Sequence, residues 1–147
     1  MRNPLISSIL CLIVLLPNMS NALDSNGNFE SIAERDAYLT YYLKDIANQM
    51  NAQAPIMMDE HTKFISVMPI NKTINYFFQV IGIDARNIGT SKKNEFIEEK
   101  LEVMNEIACQ SNSTLALLEI GVNYVYIYND ENGRPIARVE LKEANCK

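Results

Sequence analysis

Apolar residues recur along two stretches of the chain at the spacing of an α-helix. Residues 31–53 carry an apolar stripe about every three to four positions, and Ser31 with Glu34 matches the capping box that begins many helices. Residues 91–110 show the same period, with glutamates on the opposite side. These patterns predict two long amphipathic helices, the first of which ends before Pro55.

Four further segments alternate or are rich in β-branched and aromatic residues, which is typical of strands. They are residues 64–69, 73–81, 122–129 and 135–142. Asn132-Gly133 is a turn signal between the last two, and residues 113–121 can form one short additional helix. The order α-β-β-α-β-β with short connections predicts an α+β fold, in which a four-stranded antiparallel sheet has its helices packed on one face.

The start of the chain has the three parts of a cleavable signal peptide. Arg2 supplies a positive charge, residues 5–16 form an apolar run, and small residues precede an expected cleavage site after Ala22. A retained anchor is the alternative, but a transmembrane helix needs roughly 20 apolar residues. The sequence therefore predicts a signal peptide over 1–22 and a single α+β domain over 23–147, periplasmic or secreted, with no stable membrane anchor after cleavage.

Two cysteines remain after that cleavage, Cys109 and Cys146. An even number in an exported chain predicts a disulfide, because the compartment is oxidising. A redox pair usually has the spacing C-x-x-C, and zinc needs about four ligands, whereas this chain has His61 as its single histidine. We therefore expect a structural disulfide, no metal site and no cofactor.

The charge of the chain argues against nucleic acid as a partner. The formal net charge is −5, and loss of Arg2 with the signal peptide makes it more negative. No basic cluster longer than Lys92-Lys93 offsets this charge. Such a surface repels phosphate backbones, so we expect a protein partner instead.

The segment Asp59-Glu60-His61 is the strongest candidate for catalysis. Histidine can act as an acid or a base near neutral pH, and a carboxylate can orient it. Adjacent loop residues do not normally face one another, however, and no G-x-S-x-G motif accompanies them. A solvated loop before a strand is the favoured interpretation, and a small hydrolase remains the alternative.

Three tyrosines alternate along the first strand of the last hairpin and share one of its faces. The simplest packing places the other apolar residues of the hairpin under the helices, namely Val125, Ile127, Val139 and Leu141. The expected outer face is then a binding surface formed by Tyr124, Tyr126, Tyr128, Arg138 and Glu140. Tyrosine and arginine are typical of recognition surfaces. Cross-strand pairs that only stabilise an exposed sheet are the alternative.

Several segments also resemble small exported bacterial proteins. The resemblance is carried by residues 55–62, by the strand around Tyr76-Phe77-Phe78, and by the block from Cys109 to Cys146. It implies a bacterial periplasmic setting and assigns no role to any residue.

These observations favour a non-catalytic protein that binds another macromolecule in the cell envelope, as an accessory subunit or an assembly factor. An inhibitor or immunity protein that blocks an enzyme is a second possibility, because an acidic surface suits a basic partner. The hydrolase based on residues 59–61 is the third.

Overall fold

The computed structural model describes residues 28–146, so the predicted signal peptide lies outside the described residues. The helices are α1 (Ile32–Asn51), α2 (Thr90–Cys109) and α3 (Asn112–Glu119). The strands are β1 (Ile56–Met57), β2 (Thr62–Ile70), β3 (Thr73–Val80), β4 (Asn123–Asp130) and β5 (Pro135–Leu141), and a 3₁₀ turn follows at Glu143–Cys146. The mixed α/β content agrees with the pattern of the sequence.

The strands form one sheet of five strands in the order β1-β2-β3-β4-β5. The predicted four-stranded antiparallel sheet is therefore wrong in its strand count and in one pairing, since β3 and β4 run parallel. The chain between them contains both α2 and α3, and a crossover of this length allows parallel pairing. Strand β1 has two residues, too few to produce an alternating pattern.

Local hydrogen bonds define the ends of α1. The Glu34 N–H donates to Ser31 Oγ at 3.1 Å, as expected for a capped N-terminus. At the other end, the Asn51 side chain donates to the Val67 carbonyl at 2.9 Å and accepts from the Val67 N–H at 2.8 Å. Because Val67 lies in β2 beside a register shift, this pair of hydrogen bonds holds the end of α1 over that strand.

One face of the sheet and all three helices share a hydrophobic core. Helix α1 packs against β2, and α2 packs against β5. The core includes Leu43 of α1, Ala108 of α2 and Leu118 of α3. The central strands β3 and β4 therefore lie beneath the space between the two long helices.

Two further features tie the chain together near its C-terminal end. Cys109, the last residue of α2, forms a disulfide with Cys146, and their Cα atoms are 5.3 Å apart. At the end of β4, the fully buried Asp130 carboxylate accepts hydrogen bonds from the N–H groups of Ala85, Asn132 and Arg134 at 3.0, 2.9 and 2.8 Å. Burial acts to raise the pKa of Asp130, but these hydrogen bonds hold it below the usual value.

Candidate functional site

The three tyrosines of β4 face the helices and not the solvent. Tyr124 and Tyr128 are 4% and 2% exposed, and Tyr126 is partly buried. In the β4–β5 register, Tyr126 lies opposite Val139, whereas Arg138 lies opposite Ile127. The predicted outer face of tyrosines is therefore wrong, and the two faces of β4 are inverted with respect to that prediction.

Strand β5 explains the inversion. Directly opposite residues of an antiparallel pair lie on the same face. Ala137, Val139 and Leu141 alternate with charged residues on β5, and a charged row is costly to bury without partners. The tyrosines lie opposite the apolar row, so they enter the core with it. A tyrosine ring gains much from burial because its only polar atom is the hydroxyl.

Arg138 and Glu140 remain on the outer face of the sheet. Their side chains form an ion pair at 3.4 Å, and Lys142 lies 3.4 Å from the same glutamate. They lie opposite Ile127 and Val125 in the strand register. The five residues predicted to form one binding surface are thus divided between two faces of the sheet.

A cleft of about 140 Å³ opens between the long helices and the buried face of the sheet. We call it the apolar cleft. Its lining residues are Met50, Gln53, Ile56, Met58, Phe64, Tyr76, Phe78, Met104, Ile107, Ala108, Thr114, Tyr124 and Tyr126. Most of these side chains are hydrophobic, and three of them are methionines, which adapt readily to different occupants.

The cleft results from the way in which the helices divide the sheet. Because α1 packs against β2 and α2 packs against β5, neither long helix covers β3 and β4 closely. The sheet supplies aromatic rings there. Tyr76 stacks on Tyr126 with ring centroids 5.2 Å apart and on Tyr124 with centroids 6.4 Å apart, both nearly parallel. These three residues form one wall of the cleft, the tyrosine wall.

The tyrosine wall carries hydroxyl groups into an apolar environment. Burial raises the pKa of Tyr76, of Tyr124 and of Tyr126 above the usual value for tyrosine. The Tyr124 hydroxyl is itself buried. A hydrogen bond with the Thr114 side chain acts to lower the pKa of Tyr124, but burial outweighs that effect.

The candidate catalytic segment forms a turn. The Asp59 carboxylate accepts hydrogen bonds from the backbone N–H groups of His61 and Thr62 at 2.8 and 2.7 Å. Partial burial acts to raise the pKa of Asp59, but these hydrogen bonds keep it below the usual value. Asp59, Glu60 and His61 are all exposed. The carboxylate thus stabilises the entry to β2 through backbone contacts.

No group of three or more histidine, cysteine, aspartate or glutamate side chains within residues 28–146 is placed to hold a metal ion. Among the same residues, no helix is both long and apolar enough to cross a membrane.

Sequence reasoning missed the cleft, although it selected two of the cleft's tyrosines. Tyr124 and Tyr126 line it, whereas Tyr128 contacts Phe96 of α2 outside it. The remaining lining residues come from separate elements. Three of them are Met50, Met58 and Met104, and no spacing in the sequence groups these methionines with the other lining residues.

Comparisons with known proteins identify the fold. No family model and no curated protein matches the sequence. A solved structure of a Pseudomonas aeruginosa protein assigned as secreted matches with a TM-score of 0.62 at 14% identity, covering 77% of this chain and 96% of that one.

Two pilotins of type II secretion systems also match. EpsS from Vibrio vulnificus has a TM-score of 0.61 at 16% identity and covers 78% of this chain and 97% of its own. AspS from Vibrio cholerae has a TM-score of 0.57 at 14% identity, with coverage of 78% and 98%. At these identities the likeness shows that the three proteins share the fold of this chain.

Proposed function

We propose that this protein is an exported, non-catalytic accessory or assembly protein of the bacterial envelope, and that it binds a protein partner in its apolar cleft. The observation that carries the proposal is the cleft itself, an opening of about 140 Å³ lined largely by hydrophobic side chains. Apolar surface that is left open to water favours binding, because covering it releases water from contact with that surface.

The size of the cleft supports a protein partner over a large small molecule. Pockets for drug-sized ligands have volumes of about 300–1,000 Å³. An apolar cavity of about 150 Å³ holds one benzene molecule. The cleft therefore suits one large apolar side chain, which is how a protein partner inserts an anchor residue at the centre of an interface.

The shared fold supports a role in the envelope. Two of the matched structures are named as pilotins of type II secretion systems, and the third comes from a protein assigned as secreted. We propose by analogy that the partner belongs to an envelope secretion or assembly system. Export by cleavage after Ala22 is part of the same proposal.

The proposed site retains part of the surface expected from sequence. Tyr124 and Tyr126 contribute through the cleft, whereas Arg138 and Glu140 lie on the opposite face of the sheet. We therefore assign binding to the cleft and not to the charged face of β5.

A charge introduced into the cleft tests this proposal. The mature, oxidised protein is used to capture partners from the solubilised envelope of its own cells, and binding of the captured protein is then measured with purified components. We expect Met104→Glu to weaken that binding by about 30-fold, the loss typical of a buried hot-spot residue. Met104 lines the cleft without belonging to the core cluster, so the fold should tolerate the change.

The matched control is Val103→Glu. Val103 neighbours Met104 on α2, is 41% exposed and does not line the cleft. The Val103→Glu variant introduces the same charge on the same helix and should leave the affinity for the partner unchanged. Equal loss in both variants would point to a general charge effect, and equal retention would show that the partner binds elsewhere.

A further inference from the structure

We infer that the face of the sheet opposite the apolar cleft rests on an anionic lipid surface. This inference goes beyond the proposed function, because it concerns a different face of the molecule and a different class of partner. It can be tested on the purified protein in the absence of any protein partner.

Exposed hydrophobic side chains are concentrated on one side of the molecule. Of the eight large ones that are exposed within residues 28–146, five lie on β1 and β2, and the other three are spread over α1 and α2. Single hydrophobic residues on a surface are ordinary, whereas a group of them on neighbouring strands indicates contact with another apolar surface.

The strand register places several of these side chains on the outer face of the sheet, away from the helices. Met57, Met68 and Ile70 are 44%, 51% and 53% exposed, at strand positions that alternate with side chains of the core. The half-buried Phe77 and Ile127 are partners in the β3–β4 register and extend the same face across the sheet. We call these five residues the outer patch.

Basic side chains border the outer patch, although the chain as a whole is acidic. Lys63 lies opposite Met57, and Arg138 lies opposite Ile127. Lys142 belongs to the same ion-paired row as Arg138, at the end of β5. The apolar surface and three positive charges are therefore presented together.

The negative charge of the chain is concentrated elsewhere. Helix α2, on the other side of the sheet, carries five exposed glutamates against three lysines. On the outer face, the three basic side chains are accompanied by Glu140 of β5, with which two of them pair. The molecule is thus polarised, with its positive side on the outer face, and this polarity turns the outer face towards a negatively charged surface.

A lipid surface matches both properties of this face. Phospholipid headgroups supply negative charge, and the acyl region beneath them accepts aliphatic and thioether side chains. A second copy of the chain matches less well, because face-to-face packing would bring the basic side chains of the two copies together. With lipid on the outer face, the apolar cleft points away from the membrane and remains open to a protein partner.

Sedimentation with vesicles measures the interaction. The mature, oxidised protein is mixed with vesicles of phosphatidylglycerol and phosphatidylethanolamine, or with neutral vesicles of phosphatidylcholine. We expect it to sediment with the anionic vesicles at low ionic strength and to be released as salt is added, because salt screens the attraction. Failure to bind the anionic vesicles, or equal binding to both kinds, would overturn the inference.

The electrostatic part is tested by removing two of the basic side chains. Lys63→Gln/Arg138→Gln should lower the partition coefficient on anionic vesicles by about 30-fold, about fivefold for each charge near the surface. Lys92→Gln/Lys93→Gln is the matched control, because it removes the same charge from the start of α2. An equal loss in both variants would mean that only net charge matters, which would overturn the assignment to this face.

The apolar part is tested in the same way. Met68→Gln/Ile70→Thr should lower the partition coefficient by about tenfold, since two half-exposed side chains lose their apolar contact with lipid. The control Ile32→Thr/Tyr41→Gln removes more strongly exposed apolar side chains from α1 and should bind as the unmodified protein does. Equal loss in the control would contradict the inference.

A fluorescent reporter locates the contact without weakening it. The chain contains no tryptophan, so a single introduced one gives the entire indole signal. The emission of Met68→Trp should move to shorter wavelength when anionic vesicles are added, whereas that of Val103→Trp, on exposed α2, should not. Equal shifts at the two positions would overturn the orientation.

Other occupants of the outer patch give different results. A dimer in analytical ultracentrifugation that dissociates in Met68→Gln/Ile70→Thr would assign the patch to a second copy and overturn the inference. Capture of an envelope protein that depends on the same two residues would also overturn it. Partner binding that depends on Met104 in the cleft is a separate measurement, so the proposed function and this inference fail independently.

Discussion

Removal of the Cys109–Cys146 disulfide should lower the free energy of unfolding by about 4 kcal/mol. The two cysteines are 37 positions apart in the chain. Linking them restricts the unfolded chain, and the chain-entropy relation gives a constant contribution of about 0.6 kcal/mol and a length-dependent one of about 3.2 kcal/mol at 25 °C. The relation contains only the loop length, and both cysteines are partly exposed, so we expect little further effect from lost side-chain packing.

The assay is thermal and urea unfolding of residues 23–147, followed by circular dichroism, with Cys109→Ser/Cys146→Ser as the variant. The entropy of unfolding of a domain of this length is about 0.26 kcal/mol per degree. A loss of about 4 kcal/mol should therefore lower the thermal midpoint by about 15 °C. The urea m-value should rise, since an unlinked chain exposes more surface when it unfolds.

Reduced, unmodified protein is the control for the serine substitutions. Its thermal midpoint should equal that of the variant, because both lack the disulfide and differ only in having sulfur or oxygen at two side-chain positions. A midpoint within about 3 °C of the oxidised protein would refute the reasoning, since it would mean that the link barely restricts the unfolded ensemble.

Two further predictions concern ionisable groups. Asp130 has a folded-state pKa below its unfolded value, so its contribution to stability is present above about pH 4 and is lost as the pH falls through the folded pKa. Urea midpoints of the unmodified protein and Asp130→Asn should therefore differ most at neutral pH and converge in acid; a constant gap would contradict this. Free tyrosine ionises near pH 10. Burial raises the pKa of Tyr76, Tyr124, Tyr126 and Tyr128, so ultraviolet titration should show these four ionising at a higher pH than free tyrosine. Full ionisation of all seven tyrosines near pH 10 in folded protein would show that the tyrosine wall is exposed.

The helices were the most predictable part of this fold. The predicted span 31–53 corresponds to α1, with Ser31 as its N-cap, and the span 91–110 corresponds to α2. Capping and helical periodicity are local, so neighbouring residues contain the signal. Helix α2 begins at Thr90, one residue before the predicted span, with Gly89 as its N-cap.

The arrangement of the sheet was less predictable. The parallel pairing of β3 with β4 joins segments on either side of two helices, and a local pattern contains no information about such a partner. Strand β1 pairs with β2 through Ile56 and Met57, a contact that is too short to be recognised without its neighbour.

By itself, the sequence determined that Tyr124, Tyr126 and Tyr128 share one face of a strand, because side chains alternate with a period of two. Which face turned inward was decided by tertiary structure, through the register that sets these tyrosines opposite the apolar row of β5. The cleft was decided in the same way. Its walls come from elements far apart in the chain, and it exists because α1 packs against β2 while α2 packs against β5. A periodicity states which residues lie together on an element, whereas the packing of one element on another decides what lies between them.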